Sequence, residues 1–298
     1  MREVLVISGK GGTGKTSLTA SFALLAENAV VADCDVDAAD LHLILTPTVK
    51  EEHVFKSGHE AFILEDICTD CGACLNLCRF DAIRGTFKNG RIAYRVDPLM
   101  CEGCGTCARF CPKAAVELKE RVCGKWMISE TRAGPMVHAR LGIAAENSGK
   151  LVATVRQEAK KIAEREKRDL ILVDGPPGIG CPVIASISGA SDVIVVTEPT
   201  LSGAHDLARV LGLAKHFSTP AFVCVNKMDL SVDGTEKIID LAKTAGATFL
   251  GGVRYDKAFT NAQKQQKAIV ETDAACAEDV RKIWNRFLSS QPEKEQTS

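Results

Sequence analysis

Several features are scarce in this sequence, and each scarcity excludes a class of protein. The 298 residues carry a formal net charge of −1, so there is no basic excess of the kind that binds nucleic acid. The longest uncharged stretch, residues 175–191, is interrupted by glycines and prolines and therefore predicts no membrane span. No signal-peptide pattern precedes the first apolar run. We therefore expect a cytoplasmic protein with no nucleic-acid partner and no stable membrane insertion.

Cysteine, in contrast, is abundant: there are 13, and eight fall into two runs with one spacing, C-x2-C-x2-C-x3-C. The runs are Cys68, Cys71, Cys74 and Cys78, then Cys101, Cys104, Cys107 and Cys111. A chain of this length with no sign of secretion has little use for a disulfide framework. Thiolates at these spacings bind iron–sulfur clusters, and eight of them predict two 4Fe–4S clusters. Zinc is the alternative, although zinc sites usually separate two C-x2-C pairs by a longer loop.

Short apolar runs alternate with helical patterns along most of the chain. Val/Ile/Leu runs of this kind are typical of parallel strands covered on both faces. The alternation predicts a doubly wound α/β domain with a mostly parallel sheet. The predicted strands are residues 4–8, 30–33, 170–173, 193–196, 221–225 and 249–253. The predicted helices include residues 17–27, 152–167, 202–216 and 235–245.

The first predicted strand is followed at once by a glycine-rich segment, GKGGTGKT. It fits G-x4-G-K-T and precedes a predicted helix, which is the context of a phosphate-binding loop. The glycines let backbone amides approach phosphates, and the helix N-terminus adds a positive dipole. Lys15 should hold the β- and γ-phosphates, and the Thr16 hydroxyl should bind magnesium. The residues expected to contact the nucleotide in this segment are Gly9, Gly11, Gly12, Thr13, Gly14, Lys15, Thr16 and Ser17.

Acidic residues follow two other predicted strands at the same edge of the sheet. VVADCDVDAADL places Asp33, Asp35, Asp37 and Asp40 around the end of the second strand. LILVDGPPG places Asp174 at the end of a buried strand, where a carboxylate beside magnesium is expected. Asp37 and Asp40 are equally consistent with helix caps or solvated turn residues.

The strand–helix pattern stops between about residues 61 and 119, where the sequence repeats itself at an offset of 33 residues. Gly72 and Ala82 recur as Gly105 and Ala115, along with the cysteines around them. A duplication around cysteines predicts an inserted small α+β ferredoxin-like domain. We therefore expect a discontinuous P-loop domain at residues 1–60 and 120–288, the insertion at 61–119 and a disordered polar tail at 289–298.

Together these motifs resemble the MinD/ParA-like ATPases, whose deviant phosphate loop is shared by the nitrogenase iron protein and the Mrp-type cluster carriers. The additional lysine, Lys10, gives KGGTGKT; the segment from Asp33 to Leu41 resembles switch I, and DGPPG resembles switch II. The resemblance is closer to MinD-superfamily ATPases with an inserted ferredoxin domain, through GPMVHARL, ENSGKLV, DGPPGIGCPV and TEPTLSGAHDL. It covers nearly the whole chain except the tail, and implies a magnesium-dependent ATPase that is slow without its partner.

The resemblance also implies roles for individual residues. Lys10 would reach across a nucleotide-sandwich dimer, formed with a second copy or a related ATPase, to the partner's phosphates. Asp35 would orient the attacking water, and Lys15 would complete this catalytic group. Asp33 and Asp174 would steady magnesium. Asn226 would lie at the nucleotide base.

In two-cluster ferredoxins the fourth cysteine of each run serves the other cluster. By this pattern Cys68, Cys71, Cys74 and Cys111 would hold one cluster, and Cys101, Cys104, Cys107 and Cys78 the other. The second run ends in the proline that these proteins show, whereas Arg79 follows Cys78. The first run therefore departs from the pattern, and its surroundings are expected to be more polar.

One segment favours a different nucleotide. Asn226-Lys227-Met228-Asp229 fits N-K-x-D, the guanine-recognition motif of GTPases. An aspartate can accept hydrogen bonds from the ring N–H and amino group of guanine, which adenine cannot match. The deviant phosphate loop favours ATP instead. A simple turn at the end of a strand, with Asp229 as a cap, is compatible with ATP.

The remaining cysteines have two interpretations. Cys34, Cys181 and Cys224 lie in or beside predicted strands and switches, where cysteine is often a small buried apolar residue. Cys181 is also a candidate ligand for a cluster at a dimer interface. Cys123 and Cys276 are interpreted as structural.

Two histidines and the last helix also have more than one interpretation. His138 and His205 lie in segments that resemble the family and could serve a switch, but local hydrogen bonding is the commoner role. The last helix predicts an apolar stripe, formed by Val280, Ile283, Trp284, Phe287 and Leu288. We expect this stripe to pack in the core, although MinD proteins end in a membrane-seeking helix.

Three functions remain open at this point. The first is an ATP-switched accessory protein that assembles or delivers a metal–sulfur cofactor to a partner. The second is an ATP-gated electron donor to a redox partner. The third, a positioning ATPase, leaves the eight-cysteine insertion unexplained.

Overall fold

The computed structural model describes residues 1–88, 90–142 and 148–290, and its backbone divides into two compact units. The first unit comprises Met1–His53, Lys125–Arg140 and the described chain from residue 148 onward. The second comprises Val54–Gly124 with residues 141–142. The last helix ends at Ser289, and the predicted disordered tail falls almost entirely outside the described residues.

The elements follow the predicted alternation, with additional strands on either side of the insertion. The strands are β1 (Arg2–Ser8), β2 (Ala29–Asp33), β3 (Thr48–Ile63), β4 (Ile83–Lys88), β5 (Arg91–Val96), β6 (Val116–Thr131), β7 (Gly134–Leu141), β8 (Leu170–Pro177), β9 (Asp192–Thr197), β10 (Ala221–Asn226) and β11 (Thr248–Val253). The helices are α1 (Lys15–Leu25), α2 (Leu41–Leu45), α3 (Ala73–Leu77), α4 (Thr106–Arg109), α5 (Ser148–Arg165), α6 (Cys181–Ile187), α7 (Leu201–His216), α8 (Val232–Thr244), α9 (Ala258–Lys264) and α10 (Ala275–Ser289).

The main sheet has the strand order β11-β10-β9-β1-β8-β2-β7-β6-β3. The pairs from β11 to β7 are all parallel, which confirms the α/β fold with a mostly parallel sheet. Because parallel strands end at the same edge, this order gathers the segments that follow β1, β2, β8 and β10. Those segments contain the phosphate loop and the acidic residues.

Three strands next to the insertion were not among the predicted ones. β3 and β6 each run for 16 residues, and most of their residues are exposed or half-buried. They therefore lack the continuous apolar run that identifies a parallel strand covered on both faces. β7 pairs in parallel with β2 and is mostly buried, but its short apolar groups are separated by polar residues.

The core of the first unit lies where α1 and α10 pack beside the sheet. Phe22 of α1 stacks on Trp284 of α10 with ring centroids 5.1 Å apart, and Phe287 packs edge-on against Phe222. Val280, Ile283, Trp284 and Phe287 are all buried, which confirms the core interpretation of the last helix. Leu288 is different, with 49% of its surface exposed, because it falls at the margin of the stripe. Among the described residues, no helix is both long and apolar enough to cross a bilayer.

The second unit repeats its backbone at the same offset of 33 residues as its sequence. Asp70, Gly72 and Asp81 have positive φ, and so do Gly103, Gly105 and Ala114 at the equivalent positions. Gly72 and Gly105 begin the short helices α3 and α4. The ends of β3 and β5, at Ile63 and Val96, and the starts of β4 and β6, at Ile83 and Val116, share the same offset. The duplication read from the sequence is therefore also one of conformation.

Candidate nucleotide and thiol sites

The phosphate loop joins β1 to α1, as the motif predicts. Gly14 precedes the helix with φ of 86°, a conformation that side chains other than glycine rarely adopt. Asn226, at the end of β10, donates a 2.8 Å hydrogen bond from Nδ2 to the carbonyl of Thr13. A Cβ atom on Gly14 would lie only 2.3 Å from this Nδ2. Gly14 and Asn226 therefore fit closely together and fix the last part of the loop.

Lys15 reaches into an acidic cluster with its ammonium group buried. Its Nζ lies 2.8 Å from Oδ1 of Asp174 and 3.3 Å from Oδ2 of Asp35. Thr16 Oγ1 lies 3.3 Å from the same Nζ. Burial by itself would lower the pKa of Lys15, but Asp174 and then Asp35 raise it above its usual value. Lys15 is therefore a fixed positive charge, as a phosphate-binding lysine must be.

Asp33, the last residue of β2, is the Cα partner of Asp174 in the adjacent parallel strand β8. Each has one buried carboxylate oxygen, Oδ2, without a hydrogen-bond partner among the described residues. Burial, reinforced by the neighbouring charge of Asp174, raises the pKa of Asp33 well above its usual value. Burial also raises the pKa of Asp35, against the opposing effect of Lys15. Two unsatisfied carboxylate oxygens next to the phosphate loop fit a magnesium site, since Mg²⁺ uses one or two carboxylates and keeps several waters.

Sequence reasoning missed two side chains that hydrogen-bond residues of this site. Thr19 is fully buried and donates a 2.9 Å hydrogen bond to Oδ1 of Asp174. It lies four residues after Lys15, on the same face of α1, which is a signal that the sequence contained. Gln263 of α9 donates to Ser17 Oγ at 2.7 Å. No local signal identified Gln263, because it is 246 residues away along the chain.

Lys10 does not point into the acidic cluster. Its Nζ lies 3.5 Å from Glu198 Oε2 and 3.1 Å from Ser202 Oγ, just before and within α7. Glu198 also pairs with Lys227 through its other oxygen. A single carboxylate, 13% exposed, therefore lies between two lysines on this side of the loop.

A cavity of about 580 Å³ opens in front of the phosphate loop. Besides the loop itself, Asp35, Asp40 and Asn226 line it, as do residues after β11 that the sequence reasoning had not selected. The additional lining residues are Ala38, Leu43, Ile44, Pro177, Lys227, Arg254, Tyr255, Asp256, Phe259, Thr260 and Gln263. A lining that combines the polar phosphate loop with the aromatic side chains of Tyr255 and Phe259 suits a nucleoside phosphate.

Asn226 and Asp229, the residues of the guanine-recognition motif, form hydrogen bonds with the protein's own backbone. Asn226 Oδ1 accepts from the backbone N–H of Lys227 at 3.0 Å, while its Nδ2 holds the phosphate loop. Asp229 Oδ1 accepts from the backbone N–H of Tyr255 at 2.6 Å. Asp229 lines a second, open cavity, together with Glu236 and Asp279, and not the one in front of the loop. This geometry matches the strand-end turn that we considered beside the guanine motif.

Asp37, His138 and His205 do not line the cavity in front of the phosphate loop, whereas Asp40 does. Asp37 is exposed, and Asp40 precedes α2 without capping it through its side chain. His205 is exposed at 72% of its side chain. His138 is buried, and its Nε2 lies 2.8 Å from Ser129 Oγ. Burial, with smaller effects of His42 and Arg140, lowers the pKa of His138 to about 4.

The five cysteines outside the two runs differ in exposure. Cys34, Cys123, Cys224 and Cys276 are buried, and burial raises the pKa of Cys224 to about 12. This burial agrees with the interpretation of Cys34 and Cys224 as small apolar residues and of Cys123 and Cys276 as structural, whereas the same interpretation of Cys181 is wrong. Cys181 is exposed as the first residue of α6.

The eight cysteines of the two runs surround two small cavities in the second unit. Cys68, Cys71, Cys74 and Cys111 line one, which we call the first thiol site. Cys101, Cys104, Cys107 and Cys78 line the other, the second thiol site. Each site therefore takes three cysteines from one run and the fourth from the other run, which is the grouping expected from the ferredoxin pattern.

The donor chemistry of these sites fits iron–sulfur clusters. All eight cysteines are free thiols. Within the described residues, no three His, Cys, Asp or Glu side chains converge closely enough to hold a single metal ion. A tetrahedral zinc ion needs such convergence, whereas a cluster spreads its four thiolates over a larger volume.

The fold and the loop geometry define a P-loop nucleotide-binding protein with a mostly parallel sheet. Residues 4–269 match the CobQ/CobB/MinD/ParA nucleotide binding domain, and the chain belongs to this family.

The chain is also similar to several known proteins and solved structures. An uncharacterized protein of Methanocaldococcus jannaschii is 35% identical over 234 residues, which cover 77% of this chain and 79% of that protein. The Aquifex aeolicus MinC:MinD cell division complex contains a chain with a TM-score of 0.58 and 18% identity, covering 98% of both chains. The indolepyruvate oxidoreductase subunit IorA of Pyrococcus horikoshii matches a short stretch, 45% identical over 53 residues, or 18% of this chain and 8% of that subunit.

Proposed function

We propose that this protein is an ATP-hydrolysing iron–sulfur protein that serves as a nucleotide-switched accessory factor in the assembly or delivery of a metal–sulfur cluster or cofactor. The observation that carries the proposal is the presence in one chain of a complete phosphate loop with a buried Lys15–Asp174 pair and of two four-thiol sites. A purely mechanical ATPase has no need of eight cysteines with cluster spacing.

The nucleotide chemistry would rest on fixed charges around the loop. Lys15 would exchange part of its pairing with Asp174 and Asp35 for the β- and γ-phosphates of ATP. Magnesium, bound by Thr16 with Asp33 and Asp174, would neutralise phosphate charge. Asp35 would then be free to orient the attacking water. Because Lys15 and the carboxylates around it are held by the fold before ATP arrives, these groups would need little reorganisation at the transition state.

The active form would be a dimer, with a second copy or a related ATPase as partner. Lys10 would leave Glu198 and Ser202 and reach the partner's phosphates. Turnover by the isolated chain would be slow, since Lys10 is held by its own Glu198 in the structure of one chain. Binding of a metallocofactor-assembly or redox protein would promote the dimer.

The thiol sites would hold two 4Fe–4S clusters, which supply one-electron chemistry when bound. The nucleotide would control them through the switch segments, Asp33–Leu41 and Asp174–Gly178, which come before and after the second unit in the chain. ATP can favour one arrangement only by binding it more tightly than the other. Partner binding must then alter ATP affinity in return.

Two other functions have support of their own. An ATP-gated electron donor is favoured by the stretch shared with IorA, a subunit of an oxidoreductase. A positioning ATPase is favoured by the similarity of the fold to MinD. The fold alone supports positioning about as well as it supports cofactor assembly. The positioning function would give the thiol sites only a structural role.

One set of anaerobic measurements distinguishes assembly from electron donation. The purified protein is expected to contain about eight iron and eight sulfide per chain. It is then mixed with apo-acceptor protein or an oxidised electron acceptor, in the presence of ADP or ATP with magnesium. ATP-dependent appearance of a cluster on the acceptor supports assembly, and ATP-dependent acceptor reduction with the clusters retained supports electron donation.

Two further outcomes would contradict the proposal. Stoichiometric zinc with little sulfide would refute the cluster sites. Clusters whose EPR spectrum, potential and transfer rate are the same in the apo, ADP and ATP states would reject the coupling to nucleotide. The Lys15→Ala variant serves as control, because it keeps the thiols and should lose the nucleotide effect.

A further inference from the structure

The two thiol sites are related by the 33-residue repeat, so each lining residue of one site has an equivalent in the other. Four of these equivalent pairs differ in charge; in two of them the charged residue lines a thiol site, whereas Asp70 (equivalent to Gly103) and Arg79 (equivalent to Pro112) do not. Thr69 lines the first thiol site where Glu102 lines the second. Lys113 lines the first thiol site where Phe80 lines the second. The first thiol site therefore has a positive side chain at its wall, and the second has a negative one.

These charges are not cancelled by close partners. Among the described residues, the ion pairs found in the second unit involve neither Lys113 nor Glu102. Both side chains are exposed, so water and salt weaken their effect without abolishing it.

A sulfur is hydrogen-bonded in each thiol site, and in the second site Cys104 Sγ bonds to Thr106 Oγ1 at 3.5 Å. The sites differ in the kind of donor and in burial. In the first thiol site the backbone N–H of Ala115 donates to Cys111 Sγ at 3.2 Å. An N–H donor of this kind stabilises added negative charge on sulfur. In the second thiol site, Cys101 is buried at 8% exposure within an apolar cluster with Ala61, Ala82 and Val116. Apolar surroundings disfavour an increase in charge.

We propose that the two thiol sites differ in electron affinity, and that an electron given to the protein resides on the cluster of the first thiol site. This inference rests on the proposed function, because it requires both clusters. A one-electron donor such as dithionite would supply the electron, and the accepting cluster would pass from the 2+ to the 1+ state. Lys113 and the amide of Ala115 would stabilise the added charge, while Glu102 would oppose it at the second thiol site.

The test is an anaerobic redox titration followed by EPR, on the full chain with both clusters loaded. Two one-electron steps are expected, and reduction of the first cluster should be favoured by about tenfold, equivalent to about 59 mV. Lys113→Gln should lower only the higher of the two midpoint potentials. Glu102→Gln should raise only the lower one, and the double variant should bring the two potentials together.

Matched controls separate local charge from net charge. Lys119→Gln makes the same charge change in the second unit, at an exposed residue that lines neither thiol site, and both potentials should stay in place. High salt should narrow the gap in the unaltered protein, because both charges are exposed.

Other outcomes overturn the inference. If Lys113→Gln moves the lower potential, moves both equally or moves neither, the assignment is wrong even though the clusters are present. Two steps that coincide in the unaltered protein would also refute it. Absence of iron and sulfide would overturn both this inference and the proposed function. The outcomes of the redox titration overturn this inference alone, so the two failures can be distinguished.

Discussion

Gly14 and Gly12 give a matched pair of substitutions that tests the contact between Asn226 and the phosphate loop. Both glycines have positive φ, 86° and 78°, so alanine at either position should cost about 1–2 kcal/mol of backbone strain. They differ in surroundings, because a Cβ on Gly12 meets nothing within 4 Å whereas one on Gly14 lies 2.3 Å from Asn226 Nδ2. The comparison therefore isolates the contact from the strain.

Gly14→Ala should displace the Asn226 side chain and break its bond to the carbonyl of Thr13. A buried polar group left without its partner costs about 1–3 kcal/mol. We expect Gly12→Ala to lower the free energy of unfolding by about 1–2 kcal/mol and Gly14→Ala by about 2–5 kcal/mol. Gly11, which also meets nothing within 4 Å and lacks positive φ, should tolerate alanine.

The assay is urea unfolding of nucleotide-free protein, followed by tryptophan fluorescence. Trp284, 2% exposed, lies in the core of the first unit and reports on its unfolding. A double-mutant cycle with Asn226→Ala completes the test, since the double variant should cost less than the sum of the singles by about 1–3 kcal/mol. Equal costs for Gly12→Ala and Gly14→Ala, or strict additivity with Asn226→Ala, would refute the reasoning.

Three further predictions follow from individual contacts. Because His138 is neutral in the folded state with a pKa of about 4, the unfolded chain binds more protons between pH 4 and 6.5, and stability should fall as pH drops through this range. His138→Gln should remove about 2.5 kcal/mol of that loss at pH 4.5, measured by urea unfolding, and an unchanged pH profile would contradict this. The Asp229 carboxylate accepts from a backbone amide after β11, so Asp229→Ala should leave ATP a tighter ligand than GTP in competition binding. If the unaltered protein binds GTP tenfold more tightly than ATP, the segment is a guanine site. Glu198→Gln removes the carboxylate shared by Lys10 and Lys227 and should cost about 1–3 kcal/mol of stability. The control Glu120→Gln, at an exposed ion pair, should cost less than about 1 kcal/mol. Equal effects would argue against the arrangement around Glu198.

The parts of the fold with strong local signals could be predicted from sequence. Runs such as that around Val4 and Val193 specify buried parallel strands by themselves, and GKGGTGKT specifies the turn from strand to helix. β3 and β6 have no such signal. Their residues alternate in exposure or face solvent, so they are strands because of the neighbours they pair with.

The candidate sites show the same division. Residue types and spacing selected Lys15, Asp33 and Asp174 for phosphate and magnesium chemistry, and the structure brings these three residues together. Spacing places Thr19 on the same helix face as Lys15 but does not name Asp174 as its partner, and it could not reveal Glu198 as the partner of Lys10. Such pairings depend on the directions of side chains from separate elements.

The sequence by itself determined the chemistry of this protein: a lysine in a glycine-rich loop, carboxylates at strand ends, and eight thiols in a duplicated spacing. Only the tertiary structure decided how these groups are shared. The register of β2 on β8 makes Asp33 and Asp174 neighbours, and the fold of the second unit brings Cys111 to Cys68 and Cys78 to Cys101. In the tertiary structure, Asp229 accepts from a backbone amide and does not line the cavity in front of the phosphate loop. Local sequence fixes which atoms are available, whereas long-range packing fixes which of them meet.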